Sequence, residues 1–491
     1  MSDVTTNLLL LFAVGLLGWG FYRARPFGKL GILAWLQSAV LMAPWLLLFG
    51  FMSAGIAINL VGILFLLVGS GVIYIFLGRY LRTLAQQKPA SPAVPPSTEE
   101  ATLDAAKDSN TPLSVASESE PSSIPAEDLQ QVKSIFGVDT FFATETIPYQ
   151  DGVIFKGNLR GDSETVWAQL NQKLTSVLDN RYRLFLVENQ EARPVVIVLP
   201  SRNDPKPLSL AQKLLAVALF CGTVATCCIT AGFLLQFDVL EHPERLLETL
   251  PLGLGLLSIL IVHEAGHQIM ARRHQVKLSW PFFLPALQLG SFGALNRFES
   301  LFPNRKVLFD VAFAGPAAGG LYSLALLLIG LTVSTPQSLF KIPSLFFQGS
   351  ILVGTLARVV LGESLQNDVV GVSPLMVIGW MGLVVTALNL MPAGQLDGGR
   401  MVQAIYGRKV AGRATFITLI FLAIASLVNS LALYWAAIIL ILQRDLERPS
   451  QDEITEPDDA RAALALVALF LMVTVVIPLT PSLAGRLGIG L

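Results

Sequence analysis

LLSILIVHEAGHQIMARRH, residues 256–274, decides how the rest of the chain is read. An uncharged run of leucine, isoleucine and valine leads into HEAGH, and a basic pair, Arg272 and Arg273, follows it. Such a run is a helix suited to a bilayer. His263 and His267 are four residues apart, so both imidazoles leave one helical face and can reach one metal ion. Glu264 stands about 100° further round the helix, where it can take a proton from water beside that ion. Ionisable side chains at the end of an apolar helix are expensive and usually functional. Two of the chain's four histidines fall in this one motif. The blander alternative is a His/Glu cluster that only caps a span at the interface. His242 and His274 are flanked by charges and read as solvated surface residues.

Two histidines leave a catalytic zinc short of one protein ligand. ALNLMPAGQLDGGR, residues 387–400, offers a carboxylate, Asp397, at the end of another apolar helix. Pro392 breaks that helix, and Gly394, Gly398 and Gly399 let backbone approach closely. Taken alone, the segment reads equally well as a surface turn in which Asp397 caps a helix. Zinc lowers the pKa of water to about 7 and polarises a carbonyl, and an amide bond needs both. Glu264 would act first as base, then return the proton to the leaving amine.

The surrounding composition is that of a membrane protein. Of 491 residues, 53% are hydrophobic and 14% charged, against about 25% charged in a soluble domain. Mean hydropathy is +0.61. Apolar runs predict spans near 7–22, 30–52, 56–78, 212–236, 251–270, 308–332, 373–392, 411–428 and 462–478. The run 430–443 is short, and 341–361 looks amphipathic because of Arg358 and Glu363. The fold class is therefore an α-helical polytopic membrane protein of about nine to eleven spans. The first span lacks a basic leader and reads as an anchor rather than a secretory signal. Arg23, Arg25, Lys29, Arg79 and Arg82, then Arg272, Arg273 and Lys277, then Arg400, Arg408 and Lys409, place those loops on the cytoplasmic side. A net charge of -1 gives no reason to expect nucleic acid. Cys221, Cys227 and Cys228 share one apolar run and read as packing residues.

Five regions follow: N-terminal spans in 1–84, a Pro/Ser/Glu linker in 85–125, a soluble α+β domain in 126–206, a membrane core in 207–443, and a C-terminal loop and span in 444–491. The linker, with QQKPASPAVPPSTEE and SESEPSSIP, cannot bury enough surface to offset its chain entropy. In the soluble domain, GVIFKGNLR reads as a strand, and Asp162 or Ser163 caps the helix ETVWAQLNQKLTSVL. Val166, Leu170, Leu174 and Val177 recur there at helical spacing. RLFLV at 183–187 and VVIVL at 195–199 read as paired strands. SWPFFLPALQLGSFGALNRF, residues 279–298, holds too many proline and glycine breakers for a span and reads as a re-entrant loop or a membrane-embedded hairpin. An edge of it could add a strand to an unwound substrate.

HEAGH in one span, with Asn389, Pro392 and Asp397–Gly398 at the end of a later one, resembles the site-2 protease family of intramembrane zinc metalloproteases. FAGPAAGG at 313–320 is similar to that family's middle core helix. The resemblance covers about 251–410 and implies a three-helix metalloprotease core. It implies one zinc ion held by His263, His267 and Asp397, Glu264 as the catalytic base, and Asn389 holding the substrate backbone or oxyanion. GNLRG at 157–161, the soluble domain ahead of the core and SFGALNRF at 291–298 are similar to the chloroplast and cyanobacterial branch known as ethylene-dependent gravitropism-deficient and yellow-green proteases. That implies a plasma or thylakoid membrane in a cyanobacterium-like cell, with transmembrane proteins as substrates. No PDZ-like insertion is visible between the spans. A transporter would show internal repeats, which the sequence lacks, and a non-catalytic scaffold would not need Glu264. Nothing in the sequence fixes an oligomeric state.

Overall fold

A computed structural model describes residues 17–53 except positions 19 and 23, isolated positions 70, 73, 77 and 80, and residues 124–489 except positions 150, 190, 192 and 428. The spans expected near 7–22 and 56–78 lie largely outside the described residues, and the linker 85–125 almost wholly so. The chain divides into two units, Met1–Val115 and Ala116–Leu491. Of the first, the described residues form chiefly an apolar helix, α1 (Gly28–Ser53), at the span expected near 30–52.

The second unit opens with the α+β part. Helix α2 (Ala126–Ser134) precedes strands β1 (Phe141–Tyr149) and β2 (Gly152–Leu159), helix α3 (Ser163–Leu178), and strands β3 (Tyr182–Glu188) and β4 (Pro194–Pro200). The sheet order is β1-β2-β4-β3, antiparallel throughout. Asp162 caps α3 as expected, its carboxylate accepting the Thr165 N–H at 3.1 Å. Val166, Leu170 and Leu174 are buried against the sheet. The stripe keeps a four-residue repeat to its end, so Leu178 completes it. Val177, expected in the stripe, is 43% exposed.

The remainder is mainly helical. Helix α4 (Leu210–Leu234) begins with a capping box of Ser209 and Gln212. Helix α5 (Leu246–Arg273) carries HEAGH in its last third. Strands β5 (Phe282–Ala286) and β6 (Gly290–Leu295) form the hairpin expected in 279–298. Helix α6 (Arg305–Thr332) starts at an Asn304 cap. The ambiguous stretch 341–361 resolves into strand β7 (Phe340–Pro343), a 3-10 turn and helix α7 (Ile351–Leu361), with strand β8 (Val369–Val372) pairing back on β7. Helices α8 (Pro374–Asn389), α9 (Asp397–Ala425), α10 (Ser430–Ile438), α11 (Asp459–Val476) and α12 (Pro481–Leu487) follow.

In this unit Leu210–Leu234, Pro243–Arg273, Arg305–Thr332 and Asp459–Val476 are long and apolar enough to cross a membrane, and Pro374–Asn389 and Leu431–Gln443 are shorter apolar helices. Helix α6 lies at the centre, packed on α5, α8 and α9. Helix α9 kinks at Gly407, whose φ is 79°. Buried Arg305 gathers carbonyls ahead of the kink, donating to Ala404 O and Ile405 O at 2.7 Å each. The span expected near 411–428 falls largely on the second arm of α9, which is not one of the helices long and apolar enough to cross a membrane among the described residues.

Between α10 and α11 the chain returns as a strap across the α+β part. Leu186 N–H on β3 donates to Gln451 O at 2.7 Å, and Glu453 N–H donates to Leu186 O at 2.9 Å. Gln451 and Asp452 N–H donate to Phe302 O and Pro303 O just ahead of α6. The strap thus covers a sheet edge that would otherwise be open and ties that sheet to the loop entering α6.

Beside this edge, buried Asp128 accepts from Tyr182 Oη at 2.6 Å and pairs with Arg181 at 3.0 Å. Burial first, and the bond to Asp128 next, push the Tyr182 phenol up to about 12. Its folded pKa exceeds the unfolded one, so the neutral phenol stabilises the fold below pH ~10, and that contribution is lost as pH rises through ~12. An ultraviolet difference titration of wild type against Tyr182→Phe therefore assigns the latest-ionising phenol of the α+β part to Tyr182, and alkaline unfolding is less steep in the variant.

Candidate metal centre

The centre is built where α5 and α6 touch. An ideal Cβ on Gly315 of α6 would lie 2.1 Å from His267 Nε2, and one on Gly319 would lie 2.9 Å from His263 Cβ. Only a bare backbone lets α6 run this close to both imidazoles. The same contact fixes a tautomer: His267 Nδ1 lies 2.8 Å from Val311 O, so it carries the proton it donates to that carbonyl. Nε2 is then left with its lone pair pointing inward.

The third donor arrives across a tight loop. Helix α8 stops at Asn389, three residues before Pro392, and Pro392 and its neighbours reverse the chain. A Cβ on Gly398 would lie 1.9 Å from Leu390 O, so the turn closes only with glycine there. Gly394 N–H donates to Thr415 Oγ1 at 2.8 Å, holding the loop to the second arm of α9. Asp397 is thereby set in the first turn of α9, near the positive end of its dipole.

His263 Nε2 lies 3.1 Å from Asp397 Oδ2, His267 Nε2 lies 3.3 Å from Asp397 Oδ1, and the two Nε2 atoms are 3.2 Å apart. All three side chains are buried, and together they could hold a metal ion. Zinc ligands at about 2.0–2.1 Å in a tetrahedron are separated by about 3.3 Å, and the two imidazole nitrogens, with one Asp397 oxygen beside each, have that spacing. Two imidazoles and a carboxylate with a fourth position open are also the donor set of a catalytic zinc site.

Glu264 is 6% exposed. Its Oε2 accepts from Asn296 Nδ2 at 3.3 Å, while Oε1 is buried without a protein partner. It lines a narrow cavity with His263, Gly293, Ala294 and Asn389. Asn389 Nδ2 donates to Phe292 O at 3.1 Å and to Val385 O at 2.8 Å, locking α8 to β6. All five site residues expected from the sequence therefore meet at this one place.

Other polar residues stand apart from it. His242 is exposed beside Glu244 at 3.2 Å, as expected of a surface residue. His274 departs from expectation: it is half-buried, 3.0 Å from Asp310, which Arg461 of α11 clasps with two nitrogens. The C-terminus of α5 is packed on α6 there, and sequence spacing alone does not report that packing. Cys227 and Cys228 are buried in the packing of α4, while Cys221 is exposed. Sequence reasoning missed Asn296, Arg400 and Glu447. Arg400 reads as a loop charge, yet it is 3% exposed and bonded to both of the others. Its position three residues after Asp397, on the same helical face, was the available signal.

The fold and donor set define a zinc-type metallopeptidase. Residues 252–428 match the model of peptidase family M50, and residues 130–206 match the EGY3 middle domain. The chain is 36% identical over 410 residues to "Probable zinc metalloprotease EGY1, chloroplastic" of Arabidopsis thaliana, covering 76% of this chain and 75% of that one. The rice protein of the same name (Oryza sativa subsp. japonica) is 34% identical over 411 residues, covering 76% and 71%. "Probable zinc metallopeptidase EGY3, chloroplastic" of Arabidopsis thaliana is 35% identical over 387 residues, covering 74% and 67%. The chain belongs to the site-2 protease family of zinc metalloproteases, peptidase family M50. No solved structure matches it.

Gly315→Ala places a methyl group where His267 Nε2 now sits. Purified Gly315→Ala protein is expected to retain wild-type helix content by circular dichroism while its zinc, measured by mass spectrometry, falls well below the wild-type value.

Proposed function

We propose that this protein is an intramembrane endopeptidase that hydrolyses peptide bonds of membrane-spanning proteins, with His263, His267 and Asp397 as zinc ligands and Glu264 as general base. The observation that carries this reading is the pair of imidazole nitrogens 3.2 Å apart, each with an Asp397 oxygen at 3.1–3.3 Å, with the free Oε1 of Glu264 in the same cavity lining. Bound there, zinc supplies a Lewis acid and lowers the pKa of water to about 7. Glu264 Oε1 takes a proton from the attacking water and delivers it to the leaving amine. Asn389 has both amide hydrogens engaged, so its Oδ1 is the atom left to accept a substrate N–H. Strand β6, whose Gly293 and Ala294 face the cavity, lies where an unwound substrate can run alongside as an added strand.

The five-region division, with α5, α6 and α8 as the catalytic three-helix core, fits this reading, as do the roughly nine to eleven crossings expected from the apolar runs of the whole sequence. The basic loops support a placement of the active site and the α+β domain toward the cytoplasmic side. A thylakoid or plasma membrane of a cyanobacterium-like cell is the setting proposed; the relatives' designation as chloroplastic supports the thylakoid alternative.

Wild type and Glu264→Gln, purified in detergent and given a panel of single-span substrates, provide the test. Both are expected to bind about one zinc per chain, and cleavage should drop about 10²–10⁴-fold in the variant. A variant that cleaves at the wild-type rate contradicts the base assignment. Proline placed at successive β6 positions is expected to lower cleavage more than zinc content, and equal loss of both would remove the strand-pairing role.

A further inference from the structure

We propose that Asn296 and Arg400 are positioning residues that set the Glu264 carboxylate, and that Glu447 on the strap sets Arg400. The proposal rests on the reading of Glu264 as the base. Asn296 Nδ2 holds Glu264 Oε2, which leaves Oε1 as the oxygen turned to the cavity. Asn296 is itself held from behind. Arg400 Nη1 donates to Asn296 Oδ1 at 2.7 Å, and Arg400 Nη2 donates to Asn296 O at 2.6 Å. These two bonds fix both the side chain and the main chain of Asn296. They also fix which way its amide faces, because Oδ1 must meet the guanidinium and Nδ2 must meet Glu264.

Arg400 is fixed in turn by Glu447, whose Oε2 accepts from its Nε at 3.0 Å. Glu447 is pinned by its main chain: its N–H donates to Gln403 Oε1 at 3.0 Å and its carbonyl accepts from Gln403 Nε2 at 3.1 Å. Arg400 and Glu447 are 3% and 5% exposed. A buried ion pair of this kind roughly breaks even in stability against apolar replacements. Stability therefore gives little reason to keep one, whereas orienting a catalytic carboxylate does. Four and six residues beyond Glu447, Gln451 and Glu453 form the main-chain bonds to Leu186 that seal β3. Docking of the α+β domain and the aim of Glu264 thus depend on one strap.

The full-length protein in detergent tests this, using wild type, Asn296→Ala, Arg400→Gln, their double variant, Glu447→Ala, Glu447→Gln and Glu264→Gln. Zinc content, kcat and KM are measured on one single-span substrate. Asn296→Ala and Arg400→Gln are each expected to lower kcat about 10–100-fold, with zinc content kept and KM changed less than about twofold. Because the two act in series, the double variant should lose no more than the worse single one. Glu447→Ala should cost more kcat than Glu447→Gln, which keeps an acceptor for Arg400. Additive losses, or zinc lost in step with kcat, would overturn the proposal in favour of a merely structural role. If Arg400→Gln does not fold, the same cycle closes with Asn296→Ala and Glu447→Ala. Wild-type cleavage by Asn296→Ala beside an inactive Glu264→Gln overturns the positioning role alone. Cleavage by Glu264→Gln at the wild-type rate overturns the base reading beneath it.

Discussion

Three side chains that must point at one another govern the membrane part. His263 and Asp397 meet across 134 residues of chain. Each brings a lone pair into a buried space where unpaired polar atoms are costly. Keeping them there sets demands on everything nearby. Helix α6 must be bare at Gly315 and Gly319 to pass the imidazoles. Val311 must offer its carbonyl to turn His267 the right way. The loop after α8 must reverse within a few residues so that Asp397 starts a helix and faces back.

The same accounting explains how an irregular hairpin can lie among apolar helices. Backbone that is neither helix nor closed sheet is tolerated at membrane depth only when protein satisfies it. Here α4 supplies the partners: Thr226 Oγ1 donates to Gly290 O at 2.6 Å, and Thr230 Oγ1 donates to Leu287 O at 2.8 Å. Asn389 takes the carbonyl of Phe292 on β6. The hairpin is therefore bound to α4 by its turn and to α8 by β6, which keeps Gly293 and Ala294 against the cavity.

Much of this was legible in the sequence because it is local. HEAGH gives its own geometry through helical periodicity, and Pro392 with the following glycines announces a turn. The four long apolar helices of the second unit, the Asp162 cap and strands β2, β3 and β4 all follow from short-range pattern. The failures are long-range. Strand β1, FFATETIPY, has little apolar alternation and gains its place by pairing with β2. Val177 is expected in the stripe of α3, but the four-residue repeat from Val166 runs on to Leu178 instead and leaves Val177 exposed. His274 and Arg400 read as surface charges, and only packing from distant elements buries them beside Asp310 and Glu447. No spacing rule joins residue 186 to residue 451.

X-ray absorption at the zinc edge on the purified protein tests the central claim most directly. The account predicts about one zinc per chain with two imidazole nitrogens at about 2.0–2.1 Å, oxygen for the rest and no sulfur, and loss of an oxygen ligand or of the metal in Asp397→Ala. Sulfur in the shell, or a spectrum unchanged by Asp397→Ala, would contradict it.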